Sequence, residues 1–310
     1  MRKKKRRRIR WRIVLLVFSL FGLLFKFNLI KAEELNPFQL LAKEEAQLTR
    51  HEINEVTAKQ VLLKERDGKI VYEENSQQKT SIASLTKMMT ALCIIEAFPE
   101  DLQQRAIIPA DIFPYIWSQE LATAGFLPDE SVSLEDLLYG ILLPSGADAA
   151  LAGAIYTRGT EQAFVEEMNQ KAAALGMADT HFANVTGADS DSHFSTAGDL
   201  LLLLEYALDN PQFYQIFTSF SHGTTGTLVQ PEGLQLTSTL LATGESLSWN
   251  DGVIIGGKTG YTIAAGQCLA SLANVNGKEY IMILLGADGT SETEQRNIQE
   301  SRYIYQEYAH

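Results

Sequence analysis

A chain of 310 residues, 45% hydrophobic and 21% charged, is long enough to bury a substantial core in one large domain or two smaller ones. Its formal charge of −12 is unevenly spread: residues 1–31 hold eleven Lys or Arg and no acid, so the rest sets 15 basic against 38 acidic residues, a formal −23. Such an acidic body excludes nucleic acid as an expected partner, and two cysteines and five scattered histidines, without a Cys-x-x-Cys or His-Glu-x-x-His pattern, leave no metal or other cofactor expected.

The basic head, Arg2 to Arg12, precedes the uncharged apolar run Ile13 to Phe25, and Lys26 interrupts what would otherwise continue to Ile30. This is the n-region and h-region pattern of an exported protein, with the basic flank cytoplasmic and the body outside. The run is shorter than the roughly 20 residues of a spanning helix, and Ile30-Lys31-Ala32 is a passable cleavage context. The segment 1–31 is read as an N-terminal membrane anchor, with a cleaved signal and a released protein as the alternative. Residues 32–57 read as a polar, helix-compatible spacer and residues 58–310 as the folded domain, which ends soon after its last expected helix, so a tether has to be N-terminal.

Val61-Leu62-Leu63 and Ile70-Val71-Tyr72 flank Asp67-Gly68 and predict a β-hairpin. After the polar, cap-like Thr80-Ser81-Ile82-Ala83, the residues Leu85, Met88, Met89, Leu92 and Ile95 recur at helical spacing and predict a helix buried along one side. Helices are expected over Leu134–Ala154 and Glu161–Leu175, and Thr196 with Asp199 forms a capping-box pattern before Leu200 to Leu204. Asp251 to Gly260 reads as a strand whose glycines leave room for another backbone. Leu269–Ala273 and Tyr280–Leu285 flank Asn276-Gly277, a second hairpin, and a helix covers Glu294–Tyr308. Strands at both ends with helices between them predict one antiparallel sheet, its first and last segments paired, with a helical insertion. Cys93 and Cys268 lie in apolar surroundings and read as small core residues.

The chemistry concentrates in two places. Ser84-Leu85-Thr86-Lys87 puts a hydroxyl and an amine three residues apart, on one face of a helix. An alcohol needs a nearby base to attack at neutral pH, and lysine serves only if burial or a second cation disfavours its charge. Lys258, in Lys258-Thr259-Gly260, is the expected neighbour. At the start of a helix the Ser84 backbone N–H would face developing negative charge and supply half of an oxyanion hole. His181 and His193 do not form a Ser-His-Asp triad, because no Gly-x-Ser-x-Gly elbow exists and both sit in segments explained structurally.

These segments resemble the D-alanyl-D-alanine carboxypeptidases among the low-molecular-mass penicillin-binding proteins, from about Ala58 to the C-terminus. The likeness runs through Ala83-Ser84-Leu85-Thr86-Lys87, Asp136-Leu137-Leu138-Tyr139-Gly140 leading to Leu143-Pro144-Ser145-Gly146, Gly176-Met177 with Thr180-His181-Phe182, Ser195-Thr196-Ala197, and Lys258-Thr259-Gly260-Tyr261-Thr262 with Ala265-Gly266. The resemblance implies an α/β (α+β) fold of the β-lactamase/transpeptidase-like kind, a five-stranded antiparallel sheet flanked by helices plus an all-helical subdomain, with the active site at their junction. It implies catalytic Ser84, Lys87 and Ser145 and substrate-binding Lys258, Thr259, Gly260 and Tyr261. Ser84 would be acylated with Lys87 as base, Ser145 would relay a proton to the leaving amine, Lys258 and Thr259 would grip the terminal carboxylate, and the Tyr261 N–H would be the second oxyanion donor. Peptidoglycan stem peptides are then the expected partners, with β-lactams as covalent inhibitors.

One departure stands out. The family's Ser-x-Asn reads Ser145-Gly146-Ala147 here, with Asp148 next, and Ala cannot replace the donor and acceptor of the Asn side chain. A β-lactamase, or a wall-peptide binder with weak turnover, stays open as an alternative. The first is disfavoured because no Glu-x-x-Leu-Asn segment follows Ser145.

Overall fold

The computed structural model describes residues 56–310. The anchor segment and nearly all of the spacer lie outside the described residues.

β1 (Gln60–Glu65) and β2 (Ile70–Glu74) form the first expected hairpin, with the Gly68 N–H donating to the Glu65 carbonyl at 2.9 Å. A 3₁₀ turn, Ala83–Thr86, runs directly into α1 (Lys87–Ala97). β3 (Arg105–Ile107) pairs with β4 (Ser131–Ser133), and α2 (Phe113–Ser118) lies between them in the chain. The helical middle continues with α3 (Leu134–Leu142), α4 (Ala147–Arg158), α5 (Glu161–Ala174), α6 (Ala197–Leu208) and α7 (Pro211–Phe217). A short ladder of β5 (Ser221–Gly223) and β6 (Gln235–Thr237) and a single helical turn, α8 (Thr239–Ala242), lead back to the sheet. There follow β7 (Ser248–Trp249), β8 (Gly252–Thr262), β9 (Gly266–Val275), β10 (Lys278–Ala287) and α9 (Arg296–Tyr308).

The main sheet has the order β2-β1-β10-β9-β8-β7, antiparallel throughout, so the first and last long segments pair as expected. It exceeds the expected five strands by β7, a two-residue edge strand against Gly252 and Val253. The β9–β10 hairpin turns on Asn276 and Gly277, both at positive φ (52° and 87°), the conformation that selects an Asn-Gly pair. Alternate residues of the central strands face opposite sides. Ala270, Leu272, Ile281 and Ile283 pack with the helical middle, whereas Leu269, Ala273, Met282 and Leu284 pack with Ile298, Ile304 and Tyr305 of α9. Each of the Leu, Ile and Met side chains contributes roughly 1.5–3 kcal/mol of burial, which fixes β9, the strand against which the Lys258 strand pairs.

Two expectations change. α1 is buried on every side from Lys87 to Ile95, because α3, α4, α5, α6 and α7 surround it. The helix expected over Leu134–Ala154 breaks into α3 and α4: Pro144 has no N–H to continue α3, and Ser145 turns to φ 66°, after which the Gly146 N–H donates back to the Gly140 carbonyl at 2.8 Å. The Thr196 cap is present, its hydroxyl accepting from the Asp199 N–H at 3.0 Å. The Asp199 carboxylate instead accepts from the Asp179 N–H and the Thr180 hydroxyl. Cys93 and Cys268 are buried and unpaired, and burial raises both thiols, Cys268 to about 12.

Candidate active site

Ser84 sits in the 3₁₀ turn and Lys87 begins α1, which places Lys87 Nζ 3.0 Å from Ser84 Oγ. Lys87 is buried among apolar neighbours, and that burial pushes its amine down to about 7, against a weaker upward pull from the Asp148 carboxylate. A neutral amine at this place has a lone pair to receive the Ser84 proton. Its N–H is held by the Thr186 carbonyl at 2.7 Å.

β8 packs against the 3₁₀ turn, and the closeness of the two backbones accounts for the glycine between them. A Cβ on Gly260 would stand 3.1 Å from the Ser84 nitrogen and 3.2 Å from the Ala83 Cβ. The structure therefore brings Ser84, Lys87 and the 258–260 strand side by side. Lys258 is fully buried and donates to the Thr259 carbonyl at 2.8 Å. Burial holds it well below the usual lysine range, and repulsion from Lys87 adds to this. Burial acts first on both lysines, and the repulsion between them further disfavours charging both at once.

Ser145 lies buried in the break before α4, in the left-handed region that costs a non-glycine residue about 1–2 kcal/mol. Its loop is tied to β8 through Thr239, whose N–H donates to the Leu143 carbonyl at 3.0 Å and whose hydroxyl meets that of Thr259 at 2.6 Å. Ala147 is fully buried. Asp148 does not stand in for the absent Asn, since its carboxylate accepts from the N–H groups of Ala124, Gly125 and Phe126 at 2.8, 3.1 and 3.1 Å.

Sequence reading missed the segment that orients the lysine. Asn184 Oδ1 accepts from the N–H groups of Thr186, Gly187 and Ala188, at 3.1, 2.7 and 3.2 Å, and so folds the loop that brings the Thr186 carbonyl to Lys87. The Asn-x-x-Gly spacing of an Asx turn at Asn184 and Gly187 is the signal that was there to be read. Thr239 gave none. His193 bonds Thr86 rather than Ser84, and His181 meets the Ser192 carbonyl, so neither histidine forms a triad with the serine.

Comparison with known proteins leads to the same place. A family model described as D-alanyl-D-alanine carboxypeptidase, peptidase family S11, matches residues 45–289. The chain is 34% identical over 269 residues to the D-alanyl-D-alanine carboxypeptidase DacF of Bacillus subtilis, covering 85% of this chain and 64% of DacF. To DacC of Escherichia coli it is 31% identical, covering 73% of this chain and 56% of the relative; it thus spans less than two thirds of the length of either. Among solved structures, a mutant of the Streptomyces K15 DD-transpeptidase superposes with a TM-score of 0.73 at 25% identity, over 81% of this chain and 97% of the other. The DacD carboxypeptidase of Francisella tularensis gives 0.67 at 25% identity, over 81% and 70%. With a half-buried Ser84 and a buried Lys87 facing a Lys-Thr-Gly strand and a family match spanning both, the chain belongs to the D-alanyl-D-alanine carboxypeptidase family.

Proposed function

We propose that this protein is a serine-type D-Ala-D-Ala carboxypeptidase that removes the terminal D-alanine from peptidoglycan stem peptides. The observation that carries the reading is the 3.0 Å contact between Ser84 Oγ and a lysine amine held near 7 by burial. Neutral Lys87 takes the hydroxyl proton as Ser84 Oγ attacks the carbonyl carbon of the terminal peptide bond. The backbone N–H groups of Ser84 and Tyr261 stabilise the oxyanion, while Lys258 and Thr259 hold the terminal carboxylate beside Gly260. As the C–N bond breaks, the proton passes to the departing D-alanine amine, with Ser145 as relay. Water then attacks the acyl-enzyme, giving the shortened peptide and restoring the Ser84 hydroxyl.

β-Lactams follow the first half of this path. Their amide is cyclic, so the amine released by ring opening stays attached and the adduct on Ser84 persists. The folded domain is assigned to residues 58–310, and the work is placed on the extracytoplasmic side of the cell membrane, supported by the basic head and apolar run of residues 1–31. No helix among the described residues is long and apolar enough to cross a membrane, and the segment 1–31 is assigned the anchoring role, with release after cleavage as the alternative.

Incubating the protein with penicillin and with a D-Ala-D-Ala peptide, then following intact mass and free D-alanine beside Ser84→Ala, tests the assignment. A stable penicilloyl adduct with released D-alanine is expected. Rapid return to unmodified mass with hydrolysed penicillin would make it a β-lactamase instead, and binding without either product would make it a wall-peptide binder.

A further inference from the structure

The residue before the proposed nucleophile is in an unfavourable conformation. Ala83 has φ 46°, a left-handed value that costs a side-chain-bearing residue and persists only where the surroundings impose it. Its carbonyl and the Ser84 N–H belong to one planar peptide unit, so whatever fixes the carbonyl also aims the N–H.

Two features fix it. The Thr86 hydroxyl donates to the Ala83 carbonyl at 2.8 Å, and the same oxygen lies 2.7 Å from His193 Nε2. The direction of that second bond follows from the rest of the ring: His193 Nδ1 accepts from the Ala183 N–H at 3.1 Å, so the neutral imidazole carries its proton on Nε2 and donates it to Thr86. The Thr86 oxygen, having accepted from His193, is left with its one proton for Ala83. Thr86, His193 and Ala83 are all buried, so no solvent competes for these bonds. On the other side Gly187 closes the space, since a Cβ there would fall 2.0 Å from the Ala83 oxygen.

We infer that Thr86, oriented by His193, is a positioning residue for the oxyanion site: it holds the strained Ala83–Ser84 peptide so that the Ser84 N–H faces the reacting carbonyl. The inference rests on the acyl-transfer reading above. It concerns no group that touches substrate, and it separates two side chains that pack alike but differ by a hydroxyl.

The test compares Thr86→Val, which keeps the shape and removes the hydroxyl, with Thr86→Ser, which keeps the hydroxyl, in the full chain. Release of D-alanine gives kcat and KM, and penicillin gives the rate of Ser84 acylation. Thr86→Val is expected to lower kcat and acylation roughly 10- to 100-fold, part of the loss seen when an oxyanion donor is removed, with KM within about twofold, the pattern of an interaction made in the transition state. Thr86→Ser should restore most of the rate. Thr86→Val with an undiminished kcat, or with KM raised and kcat intact, overturns the inference. Should Thr86→Val not fold, His193→Leu, which removes the donor to Thr86, carries the same test, with a lowered kcat expected at unchanged KM and an unchanged kcat overturning it. A wild-type protein that is never acylated would sink the proposed function itself; a wild type that is acylated, beside a Thr86→Val variant acylated equally fast, would sink only this inference.

Discussion

The Thr186 carbonyl oxygen lies 2.7 Å from Lys87 Nζ, nearer than the Ser84 hydroxyl at 3.0 Å. In a neutral amine one N–H is therefore committed to a backbone acceptor, which leaves the other N–H and the lone pair for the serine. A backbone group thus orients the lysine.

Replacing Lys87 by Arg keeps the positive charge but removes any usable neutral form, since guanidinium stays protonated. Acylation by a fluorescent penicillin should fall by about 10²–10⁴, the usual contribution of a general base. Stopped-flow comparison with the wild type measures it.

Lys87 titrates near 7, so acylation should rise with pH through that value and level off above it. Stability follows the same group with a calculable sign. Between about 7 and the ordinary 10.5 the folded chain holds fewer protons at Lys87 than the unfolded chain, so stability from this residue grows as pH rises across that window and is lost as pH falls through 7. Lys87→Met should raise Tm at neutral pH and flatten its pH dependence between 7 and 10, read by thermal denaturation.

Asn184→Ala leaves the N–H groups of Thr186, Gly187 and Ala188 without their acceptor. At about 1–3 kcal/mol for an unsatisfied buried donor, a stability loss of about 2–4 kcal/mol is expected in denaturant titrations, with slower acylation in the molecules that remain folded.

Gly187→Ala combines a left-handed φ of 85° with a Cβ 2.0 Å from the Ala83 oxygen. Neither backbone can yield without moving Ser84. Loss of penicillin labelling, beyond any change in Tm, is the expected result.

Ala147→Asn should increase release of D-alanine about threefold, about 0.7 kcal/mol of barrier, if the missing amide limits peptide binding. No gain, or a loss, in the peptide assay would mean that the Thr186 carbonyl has taken over the task and that the site is built around Ala147.

Much of the architecture was legible because local chemistry and long-range pairing agreed. Asn276-Gly277 specifies its turn by backbone conformation, and the runs flanking it are apolar because both sheet faces are covered. The same double burial hides periodicity in α1, where a one-sided pattern was read into a helix enclosed by five others. The break at Ser145 escaped because apolar spacing continues across it. At the site, Ser84, Lys87 and the 258–261 strand announce themselves through side chains in a known spacing. Thr186 acts through its carbonyl, which every residue has, so only the Asn184-x-x-Gly187 spacing of its loop marks it, and Thr239, brought in by tertiary structure alone, leaves no mark in the sequence.

The pairing of β1 with β10, in which Gln60 lies opposite Leu285, bears on how the molecule comes into being. A ribosome delivers Ser84 and Lys87 early and β10 last, while β8 has its place only between β9 and the sheet edge. Contacts spanning so much of the chain make for slow, late closure. A chain in which β10 has not yet docked is therefore expected to be unreactive toward penicillin.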